Sequence, residues 1–115
     1  MAQGMRNEEI QKILIQCKKL VAQHKLEFIP RDKNLQSLAK HGMQIEDAED
    51  ELMELNVNDY ISGPQKERNP QIHKNGDIWI FKKKIDGIWF YIKLKISIEN
   101  NHTRLKCLSF HEDER

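Results

Sequence analysis

The 115-residue chain has little of what marks several common protein classes. Only two cysteines occur, Cys17 and Cys107, far apart and in unlike surroundings. That argues against a disulfide scaffold and for reduced, buried thiols. No apolar run approaches the roughly 20 residues that a membrane-spanning helix needs, so no membrane association is expected. The opening Met1-Ala2-Gln3-Gly4-Met5-Arg6-Asn7 has no apolar core ahead of a small-residue cleavage site, and a cytoplasmic location is expected. The histidines at 24, 41, 73, 102 and 111 lack metal-ligand spacing, and no cysteine pair supplements them, so no metal is expected. Gly42, Gly63, Gly76 and Gly87 stand singly, which excludes a glycine-rich phosphate loop, and no cofactor is expected. Ser109 and His111, two apart on one strand, do not make a hydrolase triad.

What is present fits one domain spanning residues 1–115, with 38% hydrophobic residues for a modest core and 32% charged residues for its surface. The net charge of +1 conceals a segregation. Residues 1–60 carry eight basic and eleven acidic side chains, whereas residues 61–110 carry ten basic and four acidic ones. An acidic first half and a basic second half make the chain an electrostatic dipole.

Residues 8–56 read as mainly helical. Asn7 is the expected N-cap, with Glu8 and Glu9 in the first turn. Ile10, Ile13, Leu14, Cys17, Leu20 and Val21 recur at helical spacing, which predicts an amphipathic helix over 8–25. Phe28-Ile29-Pro30 is a candidate short strand, because a residue before proline avoids the α region. A second helix is expected over 35–40 and a third over 45–55, with Ile45, Ala48, Leu52 and Leu55 inward. The third helix carries Glu46, Asp47, Glu49, Asp50, Glu51 and Glu54 outward, as a solvated face or a docking surface. Residues 61–77 hold two prolines and two glycines and read as a long loop. Beyond it the period becomes two, and strands are expected over 77–85, 88–98 and 103–111. Asp86-Gly87 and Asn100-Asn101 are the turns between them. The expected fold is therefore α+β. Its N-terminal helices pack on one face of a C-terminal antiparallel sheet, a three-stranded meander to which the segment near Phe28 adds a short strand.

Parity assigns the faces. Ile88, Phe90, Ile92, Leu94, Ile96 and Ile98 should meet the helices, while Trp89, Tyr91, Lys93, Lys95 and Ser97 face away. A two-residue Asp86-Gly87 turn sets Lys84 opposite Trp89 and Lys82 opposite Tyr91, with Ile80 and Ile78 continuing that outer face. Lysines that track phosphates then sit among rings that stack on unpaired bases, a stack being worth roughly 1–3 kcal/mol. The bland alternative is a solvated face whose lysines discourage edge aggregation. The last strand allows two registers. An even loop at Asn100-Asn101 turns His111 to the core. One extra loop residue or a bulge brings Leu108 and Phe110 to the core and His111 beside Tyr91. The two bulky residues near the strand's end favour the second.

Four segments resemble the MqsR-like toxins of bacterial type II toxin–antitoxin systems: Asp59-Tyr60-Ile61-Ser62-Gly63-Pro64, Gly76-Asp77-Ile78-Trp79-Ile80-Phe81, Tyr91-Ile92-Lys93-Leu94-Lys95 and Cys107-Leu108-Ser109-Phe110-His111. The resemblance covers roughly residues 35–111, in the same order and spacing. It implies a RelE-like ribonuclease fold, metal-independent cleavage of single-stranded mRNA, and neutralisation by a cognate antitoxin protein. It also implies site roles for Tyr91, on the middle strand, and for His111, near the end of the last strand. The best-known member has lysine where this chain has His111. The family's loop lysine and the glutamine beside its tryptophan fall near Ile61 and Ile80 here, which leaves Lys66, Arg68 or Lys82 to supply that charge.

The same residues suit the chemistry. Cleavage through the 2′-hydroxyl needs a base, an acid for the leaving 5′-oxygen and positive charge on the phosphorane. His111, with an unperturbed pKa of about 6.5 for its side chain type, suits either proton transfer. Tyr91 is the candidate to orient the phosphate or share the acid role, and Lys82 completes the candidate catalytic set. Lys93, Lys95, Trp89, Lys84, Lys66 and Arg68 are the candidate RNA-binding residues. Two other classes remain open: a non-catalytic nucleic-acid-binding module using the same face, and a small protein-interaction adaptor using the acidic helix or the sheet.

Overall fold

Helix α1 (Asn7–Ala22) forms where Ile10, Leu14, Cys17 and Val21 fall on one stripe, and all four are buried in the computed structural model, which describes residues 6–66 and 76–114. Its cap is Arg6 rather than Asn7: Glu9 reaches back one turn and its carboxylate accepts from the Arg6 amide. The helix stops at Ala22, three residues short of the expected end, and His24 takes a left-handed φ of 60°. Helix α2 (Asp32–Lys40) starts three residues before the expected position, with an acid in its first turn, and α3 (Ile45–Met53) buries Ala48 and Leu52. Ile45 is the exception to its expected stripe. As the first residue of α3 it is 41% exposed.

The sheet is larger than the expected meander. Strands β1 (Leu26–Phe28), β2 (Tyr60–Gln65), β3 (Asp77–Ile85), β4 (Ile88–Glu99) and β5 (His102–Glu112) pair in the order β1-β5-β4-β3-β2. It is mixed, because β1 runs parallel to β5 while the other pairs are antiparallel. The fold is α+β, with three helices and five strands among the described residues. Strand β2 occupies the first part of the expected 61–77 loop. It lacks clean alternation and carries a proline, which an edge strand tolerates. Its pairing with β3 slips twice, and the Tyr60 hydroxyl donates to the Gly63 carbonyl across one irregularity. Gly63 has φ +118° and lies so close to Ile78 that an added Cβ would sit 2.5 Å from its carbonyl oxygen.

The β3–β4 register is the expected one, from Ile85↔Ile88 through Lys84↔Trp89 and Lys82↔Tyr91. Asp86 and Gly87 both have positive φ, as do Asn100 and Asn101, so both hairpins close with primed-type two-residue turns. Phe81, Phe90, Ile92, Leu94, Leu105, Cys107 and Phe110 form the core under α1 and α3, each large side chain contributing about 1.5–3 kcal/mol. Ile88 and Ile98, at the two ends of β4, are exposed instead. Both cysteines are free and buried, and burial pushes each thiol up to about 12.

On the same face, Lys83 extends between Glu51 of α3 and Glu54 just beyond its end. Its burial alone would lower its pKa, but the hydrogen bonds and charges of the two glutamates outweigh that and raise it. Part of the acidic helix is therefore bonded within the molecule. Among the described residues no helix is long and apolar enough to cross a membrane.

Candidate nucleic-acid interface

Both candidate registers of β5 occur, one in each half. Near the turn Glu99↔His102 and Leu94↔Cys107 follow the even-loop pairing, so Leu105 and Cys107 face the helices. Between Lys93 and Leu94 the register shifts, and from there Lys93↔Ser109, Ile92↔Phe110 and Tyr91↔His111 follow the other. Leu108 is the extra residue of a β-bulge. Phe110 thereby joins the helix-facing core. Leu108 does not, contrary to expectation: it is buried on the opposite face with Ile78 and Ile80, beside Ile29 and Tyr91.

Helix α2 holds the bulge. Strand β1 covers the edge of β5 only as far as Cys107, whose carbonyl accepts from the Ile29 amide at 3.0 Å. Beyond it Asn34, fully buried, takes the place of a strand. Its Nδ2 donates to the carbonyls of Ile29 and Leu108 at 2.9 and 3.1 Å, and its Oδ1 accepts from the Phe110 amide at 3.0 Å. One turn on, Ser37 Oγ accepts from the Glu112 amide at 3.1 Å. Buried backbone groups need such partners, and here two side chains meet that need.

The result is a row across three strands: Lys82 on β3, Tyr91 on β4 and His111 on β5. The Tyr91 and His111 rings stack with centroids 5.5 Å apart and planes inclined by 29°. His111 Nδ1 lies 2.9 Å from the Glu112 carbonyl oxygen. A carbonyl only accepts, so Nδ1 carries a proton and, in the neutral ring, Nε2 holds the lone pair. Lys82 is paired with Asp113 at 2.8 Å. In the neighbouring rows Lys84 lies over the Trp89 ring at 5.9 Å, and half-buried Lys93 makes no ion pair among the described residues. Trp89 is exposed and borders a shallow cleft of about 260 Å³ with Asn58, Ile61, Lys82 and Asp113.

Two candidates do not join this group as expected. Lys95 is only 2% exposed, so the outer face is not open along its whole length. Lys66 pairs with Asp77 at 2.9 Å, at the far end of β3 from the His111 row. Arg68 lies outside the described residues. Sequence reasoning gave α2 no part in the site: Lys33, Gln36, Ser37 and Lys40 line a second cleft, of about 170 Å³, with His111, Glu112 and Glu114. The available signal was the spacing 33, 36, 37, 40, one polar stripe on a helix whose buried positions include Asn34 and Ser37. Glu112 accepts hydrogen bonds from His41 and Lys40, which hold its carboxyl below the usual glutamate range. No group of three or more histidine, cysteine, aspartate or glutamate side chains suited to a metal occurs among the described residues.

Compared with known protein families, with curated proteins and with solved structures, the chain matches none.

Proposed function

We propose that the chain is the toxin of a type II toxin–antitoxin pair, a RelE-like, metal-independent endoribonuclease that cuts single-stranded mRNA in the cytoplasm and is neutralised by a cognate antitoxin. One observation carries the reading: His111 stacks on Tyr91 at 5.5 Å in the same row as Lys82. The resemblance of the surrounding segments to MqsR-like toxins adds to it. His111 Nε2, with its lone pair outward from the Glu112 carbonyl, takes the 2′-hydroxyl proton, and the 2′-oxygen attacks the adjacent phosphorus. The Tyr91 hydroxyl, or His111 once protonated, donates to the leaving 5′-oxygen, giving a 2′,3′-cyclic phosphate and a free 5′-hydroxyl. Lys82 and Lys93 stabilise the phosphorane charge, and Trp89 offers its exposed ring to a base.

Purified protein should cleave single-stranded RNA in excess EDTA and leave cyclic-phosphate ends. His111→Ala should reduce the rate by about 10²–10⁴, the usual worth of a positioned acid or base, without unfolding the chain. Tyr91→Phe should lose less and keep RNA binding. A histidine variant as active as the parent refutes the mechanism. The pairing of Lys82 with Asp113 also favours a second reading, a non-catalytic RNA-binding module, in which the parent itself binds RNA and releases no cyclic phosphate.

A further inference from the structure

The last three described residues make an unusual set of contacts. Glu112 pairs with Lys40 at 3.0 Å and with His41, Asp113 with Lys82 at 2.8 Å, and Glu114 with Lys33 at 3.0 Å. Three successive carboxylates thus lie on cations to either side of His111. On the α2 side Lys33 and Lys40 line a cleft of about 170 Å³ with Gln36, Ser37, His111 and their partner carboxylates Glu112 and Glu114. Lys33 and Lys40 are 59% and 67% exposed at their side chains, so their ion pairs are exchangeable with solvent anions. The stripe at 33, 36, 37 and 40 thus lines one cleft with two lysines and a glutamine beside the proposed general base.

We propose that this cleft is a second phosphate subsite, which takes the backbone phosphate next to the scissile one in single-stranded RNA, and that Glu114 occupies it as an anion mimic until RNA displaces it. The inference rests on the ribonuclease reading above. RNA is the ligand the observations favour, because the cleft is continuous with His111 and leads to Tyr91 and exposed Trp89, which offer stacking surfaces that a polyanionic peptide would not use. The bound strand runs from the Trp89–Lys82 cleft, past Tyr91 and His111, onto α2.

The test uses a fluorescein-labelled single-stranded 2′-fluoro oligonucleotide, which lacks the 2′-hydroxyl and binds without being cut. Titrations at several salt concentrations compare the full chain, Lys33→Ala/Lys40→Ala and Glu114→Gln. The double variant should bind about tenfold more weakly at low salt, with a log K against log salt slope shallower by about 0.7, one phosphate's share. Glu114→Gln should bind about two- to fivefold more tightly, the worth of an exposed ion pair removed from competition. Circular dichroism confirms that each variant is folded. Unchanged affinity and slope in the double variant overturn the subsite while leaving the ribonuclease reading intact. Absence of oligonucleotide binding and of RNA cleavage in the parent overturns both. A polyglutamate peptide that binds the parent through Lys33 and Lys40, where the oligonucleotide does not, assigns the cleft to an acidic protein segment and overturns the RNA proposal.

Discussion

From residue 105 to 107, strand β5 has a backbone neighbour on each edge, β4 on one side and β1 on the other. From 108 to 112 it keeps β4 but exchanges β1 for the side chains of α2, Asn34 and Ser37. The two halves pair with β4 one residue out of step. A backbone ladder tolerates almost any side chain, so the first half could take its register from the Asn100-Asn101 turn alone. A side-chain clamp demands one residue with both a donor and an acceptor at the right reach, which asparagine supplies and an apolar residue cannot. The half that carries His111 thus depends on a specific contact between residues 74 positions apart. That contact joins the helical half of the chain to the candidate site.

The sharpest way to break the comparison is to delete Leu108. Ser109 would then follow Cys107 directly and keep its pairing with Lys93, so the ladder closes without a slip. Phe110 stays in the core and His111 stays beside Tyr91, while the buried Leu108 side chain and the carbonyl bonded to Asn34 are lost. Phe110 is fully buried, with its ring 5.2 Å from Phe90 and 6.4 Å from Phe28. The expected loss is about 2–5 kcal/mol in urea denaturation, the level of removing a buried leucine side chain, with the 109–112 register unchanged. A loss under about 1 kcal/mol would contradict this account of the bulge.

A smaller effect is expected for Asn34→Leu. It keeps the volume but leaves the Phe110 amide and Leu108 carbonyl buried without their partner, at about 1–3 kcal/mol each. Hydrogen exchange should show the halves parting: the Phe110 amide loses protection while the Leu105 amide, bonded to the Lys25 carbonyl, keeps it. Equal loss in both halves would mean that the clamp holds the whole strand.

The least effect is expected from acid. Glu112 has a folded pKa below its unfolded value of about 4.3, so its contribution to stability is present above that value and is lost as pH falls through the folded one. Glu99, held by Lys106 at the other end of β5, behaves in the same sense. Glu112→Gln should therefore remove only part of the acid sensitivity, namely the part read at the Glu112 amide beside Ser37. Comparing urea midpoints of parent and variant at about pH 3 and pH 7 checks this, the gap between them being wider at pH 7.

Much of the sheet was legible because its signals are local. The alternation from Ile88 to Lys95, the Asp86-Gly87 turn and the resulting β3–β4 register all come from residues adjacent in sequence or paired across a two-residue loop. The polar clamp was not legible, because Asn34 and Ser37 on a short helix look like ordinary surface residues until β5 lies beside them. Strand β2 was missed for a related reason: Ile61-Ser62-Gly63-Pro64 has turn composition, and only pairing with β3 makes it a strand. Lys95 was expected on an open face by parity, which gives the side of a sheet but not what covers it.

The sequence by itself determined the class of the fold, the two faces of β4 and the segregation of charge, since period, turn chemistry and composition act over a few residues. It left β5 with two self-consistent registers, Leu105 with Cys107 or Leu108 with Phe110 toward the core. Tertiary structure chose both, one in each half, because a bulge costs one unpaired residue and α2 supplies the hydrogen bonds that residue disrupts. Only that choice puts the His111 ring on the Tyr91 ring, since a side chain's face is decided by the pairing of its strand and not by its own identity.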